Sequence, residues 1–136
     1  MGKEFIWPVR VYYEDTDHGG VVYYANYLKF MERARTEWLR SLGFEQDRLS
    51  EQEGLIFVVR SVELGYHRPA RFNDLLQVSA RVSHYGRASI DFEQQVRRGD
   101  ELLCDAVVRL AALDAATFRP KAVSPTLTER LEEEGL

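Results

Sequence analysis

Between Arg10 and Tyr27 the chain reads RVYYEDTDHGGVVYYANY, which sets carboxylates, a glycine pair and an aromatic run between a strand-like stretch and a helix-like one. Asp17 is the residue there whose type and setting suit chemistry. A carboxylate in a glycine-containing turn just ahead of a helix start can face a carbonyl whose oxygen points at the helix's unbonded N–H groups. That geometry suits acyl transfer. Asp17 has two routes to it: direct attack on the carbonyl to give a mixed anhydride that water opens, or removal of a proton from the attacking water. Gly19 and Gly20 leave the approach open and can take backbone angles closed to other residues. The pairs Val21-Val22 and Tyr23-Tyr24 would supply apolar walls.

The rival readings of these residues are structural. An isolated aspartate before a helix is commonly a turn or capping residue. Glu14 and Asp15 are read as structural or supporting, and His18 as a turn residue placed to assist proton movement or touch substrate. His18, His67 and His84 show no local metal-ligand spacing, so no metal is expected. Cys104 stands by itself within ELLCDAVVRLAAL, which predicts a small core residue, no internal disulfide and a reducing, cytoplasmic setting.

Several elements must position Asp17. From Phe5 to Tyr13, Trp7, Val9, Val11 and Tyr13 alternate with neighbours that include Arg10, as in a strand with one buried face. Tyr27, Leu28, Met31, Ala34, Arg35, Trp38, Leu39 and Leu42 then recur at helical spacing, with Gly43 as the stop. Glu45 to Glu53 predicts a further helical turn or two before Gly54. LIFVVRSVELGYH, LLQVSARVSHY, RASIDFEQQVRR and ELLCDAVVRLAALD read as strands, with turn chemistry from Pro69 to Asp74 and a tight hairpin at Gly99-Asp100. The order is that of an α+β domain: a five-stranded antiparallel sheet that buries one long helix by curling round it. Its sheet edges would need to pair or be protected, so an oligomer is expected.

Composition narrows the functional classes. At 136 residues, 45% of them hydrophobic, the chain predicts a single domain over 1–136 with a real core. A net charge of −4 with dispersed basic residues argues against a nucleic-acid partner. No stretch approaches a membrane span, and the N-terminus does not read as a secretory signal. The acidic run Glu132 to Glu134 in LTERLEEEGL reads as a solvated helix end.

Arg10-Val11, Thr16-Asp17, Gly20-Val21-Val22, Tyr24 and Tyr27 stand at a spacing that resembles the signature of the 4-hydroxybenzoyl-CoA thioesterase family of hotdog-fold proteins. Through YLKFMERARTEWL and FVVRSVELGYHRPARFND, over about residues 5 to 120, the chain resembles the bacterial acyl-CoA thioesterase branch associated with the Tol-Pal cell-envelope system. The resemblance implies a hotdog fold, with dimers joined edge to edge, commonly paired into homotetramers, and active sites between subunits. It further implies hydrolysis of a short-chain or aromatic acyl-CoA without metal or bound cofactor. Asp17 would be the catalytic carboxylate and the backbone N–H of Tyr24 the oxyanion donor. Gly20 would let the thioester approach, while contacts to CoA would fall on Val59, Arg60 and Ser61 and on Gly86, Arg87 and Ala88. Arginines at 60 and 87 suit phosphate, although such residues on strands also serve as plain solvated ones. Tol-Pal proteins or an acyl carrier protein are the implied partners.

Two other classes fit the same fold. A hotdog hydratase or dehydratase would need a base and an acid flanking the Cα–Cβ bond, and no such pair stands out. A non-catalytic acyl-binding or cell-envelope interaction module would not need the Thr16-Asp17 and Gly20-Val21-Val22 elements.

Overall fold

The computed structural model describes residues 2–134. Strand β1 (Phe5–Arg10) leads through a short 3-10 turn (Tyr13–Asp15) into the long helix α1 (Asn26–Ser41) and the short helix α2 (Gln46–Glu53). Four strands follow, β2 (Leu55–Tyr66), β3 (Leu75–Gly86), β4 (Ser89–Arg98) and β5 (Glu101–Asp114), and then helix α3 (Pro125–Glu133). The strands form one five-stranded sheet in the order β1-β3-β4-β5-β2, and every neighbouring pair is antiparallel. This is the α+β layout expected from the sequence.

The pleat decides which side chains meet α1. Leu76, Val78, Ala80 and Val82 of β3 and Ile90, Phe92 and Val96 of β4 are buried on one face, in the period-two pattern of a strand. Against them α1 lays Tyr27, Phe30, Met31, Ala34 and Trp38. Trp38 meets Phe92 edge to face, with ring centroids 5.1 Å apart. Burying each large apolar side chain is worth about 1.5–3 kcal/mol, so this layer holds helix and sheet together. Cys104 lies in the same core with no exposed surface, and burial pushes its thiol up to about 12.

Two local expectations are corrected and a third is extended. The first strand ends at Arg10 instead of running to Tyr13, because Val11 to Asp15 turn away; the Tyr12 N–H donates to the buried Asp15 carboxylate, and Tyr13 is left largely exposed. Leu28 and Arg35 share the predicted stripe of α1, but neither is fully buried; both border a cavity beside the core. The C-terminal helix is more than a solvated end: Ser124 caps it through the Leu127 N–H, and Leu127 and Leu131 are fully buried. Gly43 closes α1 as expected at φ +93, and Gly99 turns the β4–β5 hairpin at φ +58.

β2 carries the one irregularity of its pairing with β5. Val59 lies opposite Leu110 and Ser61 opposite Arg109, so Arg60 is an extra residue in a bulge. Its outer edge has no strand partner among the described residues.

Candidate active site

The loop between β1 and α1 is fixed by its own polar groups. The Asp17 N–H donates to the Val21 carbonyl and the Gly20 N–H to the Asp17 carbonyl, both at 3.0 Å, which closes a turn around His18 and Gly19. Gly20 sits at φ +75, a backbone conformation that favours glycine. The Gly19 N–H donates to Asp17 Oδ1 at 2.8 Å, and a side chain at 19 would crowd that oxygen at 3.3 Å. One carboxylate oxygen is therefore engaged by the turn. Asp17 Oδ2 has no protein partner among the described residues, and the side chain is exposed.

Asp15 is the scaffold of this loop. Its carbonyl accepts from the Tyr23 N–H and from Asn26 Nδ2, which ties the start of α1 to the turn. The Val22 N–H donates to the Ala70 carbonyl, and the Ala70 N–H donates to the Tyr27 hydroxyl at 2.9 Å, so the segment after β2 buttresses the loop from the other side. Tyr13 and Phe72 stack across the same junction with ring centroids 3.8 Å apart. The expected structural role of Asp15 follows from these contacts.

The start of α1 has a matching feature. Among the described residues the Tyr24 N–H has no hydrogen-bond acceptor, and Ala25, which caps α1, contributes no side-chain cap. Unbonded N–H groups at a helix start carry partial positive charge. The phenol of Tyr23 is held above its ordinary pKa chiefly by the Tyr24 hydroxyl, and least by the charge of Asp17. Asp17, Gly20 and Tyr24 are thus brought together on one loop.

The remaining candidates lie elsewhere. Val59, Arg60 and Ser61 occupy the middle of β2, and Gly86, Arg87 and Ala88 form the β3–β4 turn. These two groups share one end of the sheet, since Ala111 pairs with both Val58 and Ser89. Tyr24 sits at the other end, beside Tyr66, whose hydroxyl donates to the Tyr24 carbonyl at 2.9 Å. Val59 to Tyr66 is roughly 20 Å of strand at about 3.3 Å per residue. One chain therefore splits the predicted site in two.

The main cavity, about 480 Å³, lies between them and touches neither Asp17 nor Tyr24. It runs along α1 past Leu28, Arg35 and Leu39 and over Phe57, Val59, Val62, Val108 and Leu110. The bulge at Arg60 is what allows both Val59 and Val62 to face it. Neither the tie from Tyr66 to Tyr24 nor the cavity's Arg35–Gln94 contact was singled out in the sequence. The signal for the latter was present, as an arginine on an apolar helical stripe and a glutamine at an inward position of β4. Among the described residues no three His, Cys, Asp or Glu side chains converge as metal donors, and no helix is long and apolar enough to cross a membrane.

The chain is similar to known thioesterases over most of its length. A family model described as "Thioesterase superfamily" matches residues 19–105, beginning just after Asp17. The chain is 49% identical over 122 residues to "Acyl-CoA thioesterase YbgC" of Haemophilus influenzae, covering 90% of each. It is 40% identical over 130 residues to "Acyl-CoA thioester hydrolase YbgC" of Escherichia coli, covering 95% of this chain and 96% of that one. A solved structure, a probable thioesterase from Bartonella henselae, superposes with a TM-score of 0.86 at 38% identity, over 90% of this chain and all of that one. The match spans most of the sheet and all of α1, and sequence and structure point the same way: the chain belongs to the thioesterase superfamily and has its hotdog fold.

Proposed function

We infer that the protein is an acyl-CoA thioesterase, hydrolysing R–CO–S–CoA with one water to a carboxylic acid and the free CoA thiol. One observation carries the reading: the unpartnered Oδ2 of Asp17 and the unpartnered N–H of Tyr24 sit on a single braced loop at the start of α1. The names of the curated relatives support the same chemistry. In one route Oδ2 attacks the thioester carbon, CoA leaves as the thiolate, and water opens the resulting anhydride. In the other, Oδ2 takes a proton as water attacks, and the tetrahedral intermediate then expels the thiolate. Either way negative charge builds on the former carbonyl oxygen, where the Tyr24 N–H and the α1 dipole stabilise it without reorganising.

The separation of Val59 to Ser61 and Gly86 to Ala88 from Tyr24 supports a site completed by a second copy, joined through the unpaired edge of β2. Two such copies would set the CoA-contacting segments of one beside the Asp17 loop of the other, and a pair of dimers would make the tetramer. A short-chain or aromatic acyl group suits the apolar cavity beside α1, with Leu28, Phe57, Val62 and Leu110 in its wall. A buried free thiol fits a reducing cytoplasm. An acyl carrier protein or a Tol-Pal protein would enter as bearer or neighbour of the acyl group.

The test is thiol release from a chain-length panel of acyl-CoAs by wild type and Asp17→Asn. Asparagine can still accept from the Gly19 N–H, so the turn and the fold should survive. We expect turnover to fall by about 10²-fold or more with an unchanged circular dichroism spectrum. Near wild-type hydrolysis by the folded variant would remove Asp17 from the chemistry.

A further inference from the structure

Arg35 is largely buried in the wall of the main cavity, and among the described residues no carboxylate lies within ion-pair distance of it. Its single protein partner is neutral: Nη1 donates to Gln94 Oε1 at 2.8 Å. Gln94 is itself immobilised, its Nε2 donating to the Met31 carbonyl at 3.0 Å and the Ser79 carbonyl at 3.1 Å. The guanidinium is thus aimed by a fixed residue, while its other N–H groups have no protein acceptor. Glu32 also borders the cavity, but it is exposed and forms no ion pair with Arg35. An arginine does not discharge by losing its proton, and a buried charge without a counter-ion is strongly unfavourable. Cavity water or a bound anion is left to answer it.

We propose that this cavity receives the acyl group and that Arg35 binds a carboxylate at its far end, making the preferred substrates acyl-CoAs whose acyl group ends in a carboxylate. The inference rests on the thioesterase reading and sharpens its substrate class. The cavity's near end, at Leu28, lies one helical turn past Tyr24, where the thioester carbonyl would sit. Arg35 lies seven residues further, about 10 Å along the axis at 1.5 Å per residue. Leu28, Val59, Val62 and Leu110 line the interval with apolar surface that suits methylenes or an aromatic ring. At about 480 Å³ the space falls among small-molecule sites. A guanidinium matches a carboxylate in shape as well as charge, whereas a methyl terminus would leave the cation as unanswered as before.

The test compares acyl-CoAs of equal length that differ at the far end, adipoyl- with hexanoyl-CoA and glutaryl- with pentanoyl-CoA, by thiol release. Wild type should favour the carboxylate-ended member of each pair by tenfold or more in kcat/KM. In Arg35→Leu that ratio should fall to one or below. Should the variant fail to fold, inhibition of wild type by free adipate against free hexanoate reads the same subsite, with adipate at least tenfold more potent. Equal use of both members by wild type, equal inhibition by the two acids, or a preference that survives in Arg35→Leu would overturn the proposal. So would loss of subunit association in Arg35→Leu, which would give the cation to a second copy of the chain. Asp17-dependent hydrolysis of methyl-ended substrates without a carboxylate preference removes this proposal and leaves the thioesterase reading intact. Absence of thiol release from every acyl-CoA removes both.

Discussion

The Tyr66 hydroxyl, at the last residue of β2, donates a 2.9 Å hydrogen bond to the carbonyl oxygen of Tyr24, at the threshold of α1. This bond anchors the backbone beside the N–H proposed for the oxyanion, and it links that backbone to the sheet.

Tyr66→Phe should therefore lower kcat more than it raises KM. Losing one hydrogen bond is worth about 1 kcal/mol, which corresponds to roughly fivefold in rate when it acts on the transition state. Steady-state kinetics on one acyl-CoA checks this. A rise in KM at constant kcat would show that Tyr66 binds substrate without steadying Tyr24.

Acid should loosen the segment that buttresses the Asp17 loop. Burial raises the Asp74 pKa, but hydrogen bonds from the Arg71 N–H and from Arg98 Nη1, at 2.9 and 2.7 Å, outweigh it, and the carboxyl is held below its ordinary range. A carboxyl depressed in the folded state contributes stability above its unfolded pKa of about 3.9 and loses it as pH falls through the lower folded value. Asp74→Asn should cost about 1 kcal/mol at pH 7. The gap to wild type should close below about pH 4, where wild type has lost the same interaction. Urea melts at pH 7 and pH 3 measure it; a gap that persists unchanged at pH 3 would place the stabilisation elsewhere.

Cys104 should be inert in the native protein. Its thiol has no exposed surface and is pushed up to about 12 by burial, so almost no thiolate exists at neutral pH. Ellman's reagent should label no thiol in native protein and one per chain in denaturant. Rapid native labelling would mean that β5 opens locally.

Much of the fold could be read from residue period. The alternation in β3 and β4 and the three- and four-residue recurrence in α1 report burial directly, because a single buried face selects every apolar position on it. Asp17, Gly20 and Tyr24 were picked out as candidates because all three lie within one short run. The ties from Tyr66 to Tyr24 and from Gln94 to Arg35 were not, since each joins residues distant in the chain, through a contact that exists only after β2 and β4 take their places. Tyr13 misled for a related reason: it continues the strand's alternation, but the Asp15 carboxylate claims the Tyr12 N–H and turns the chain. The buried leucines of α3 were hidden beside a run of glutamates, which dominates the local composition without facing the core.

The bulge at Arg60 makes β2 unusually sensitive to chain length. In a regular strand, positions three apart point to opposite sides, and Val59 and Val62 share a side through the one extra residue between them. Deleting Arg60 would remove no cavity-lining side chain, but it would exchange the inward and outward sets on one flank of the strand. Relatives of this protein can thus diverge in the acyl groups they accept by gaining or losing a single codon here, with every neighbouring amino acid left unchanged.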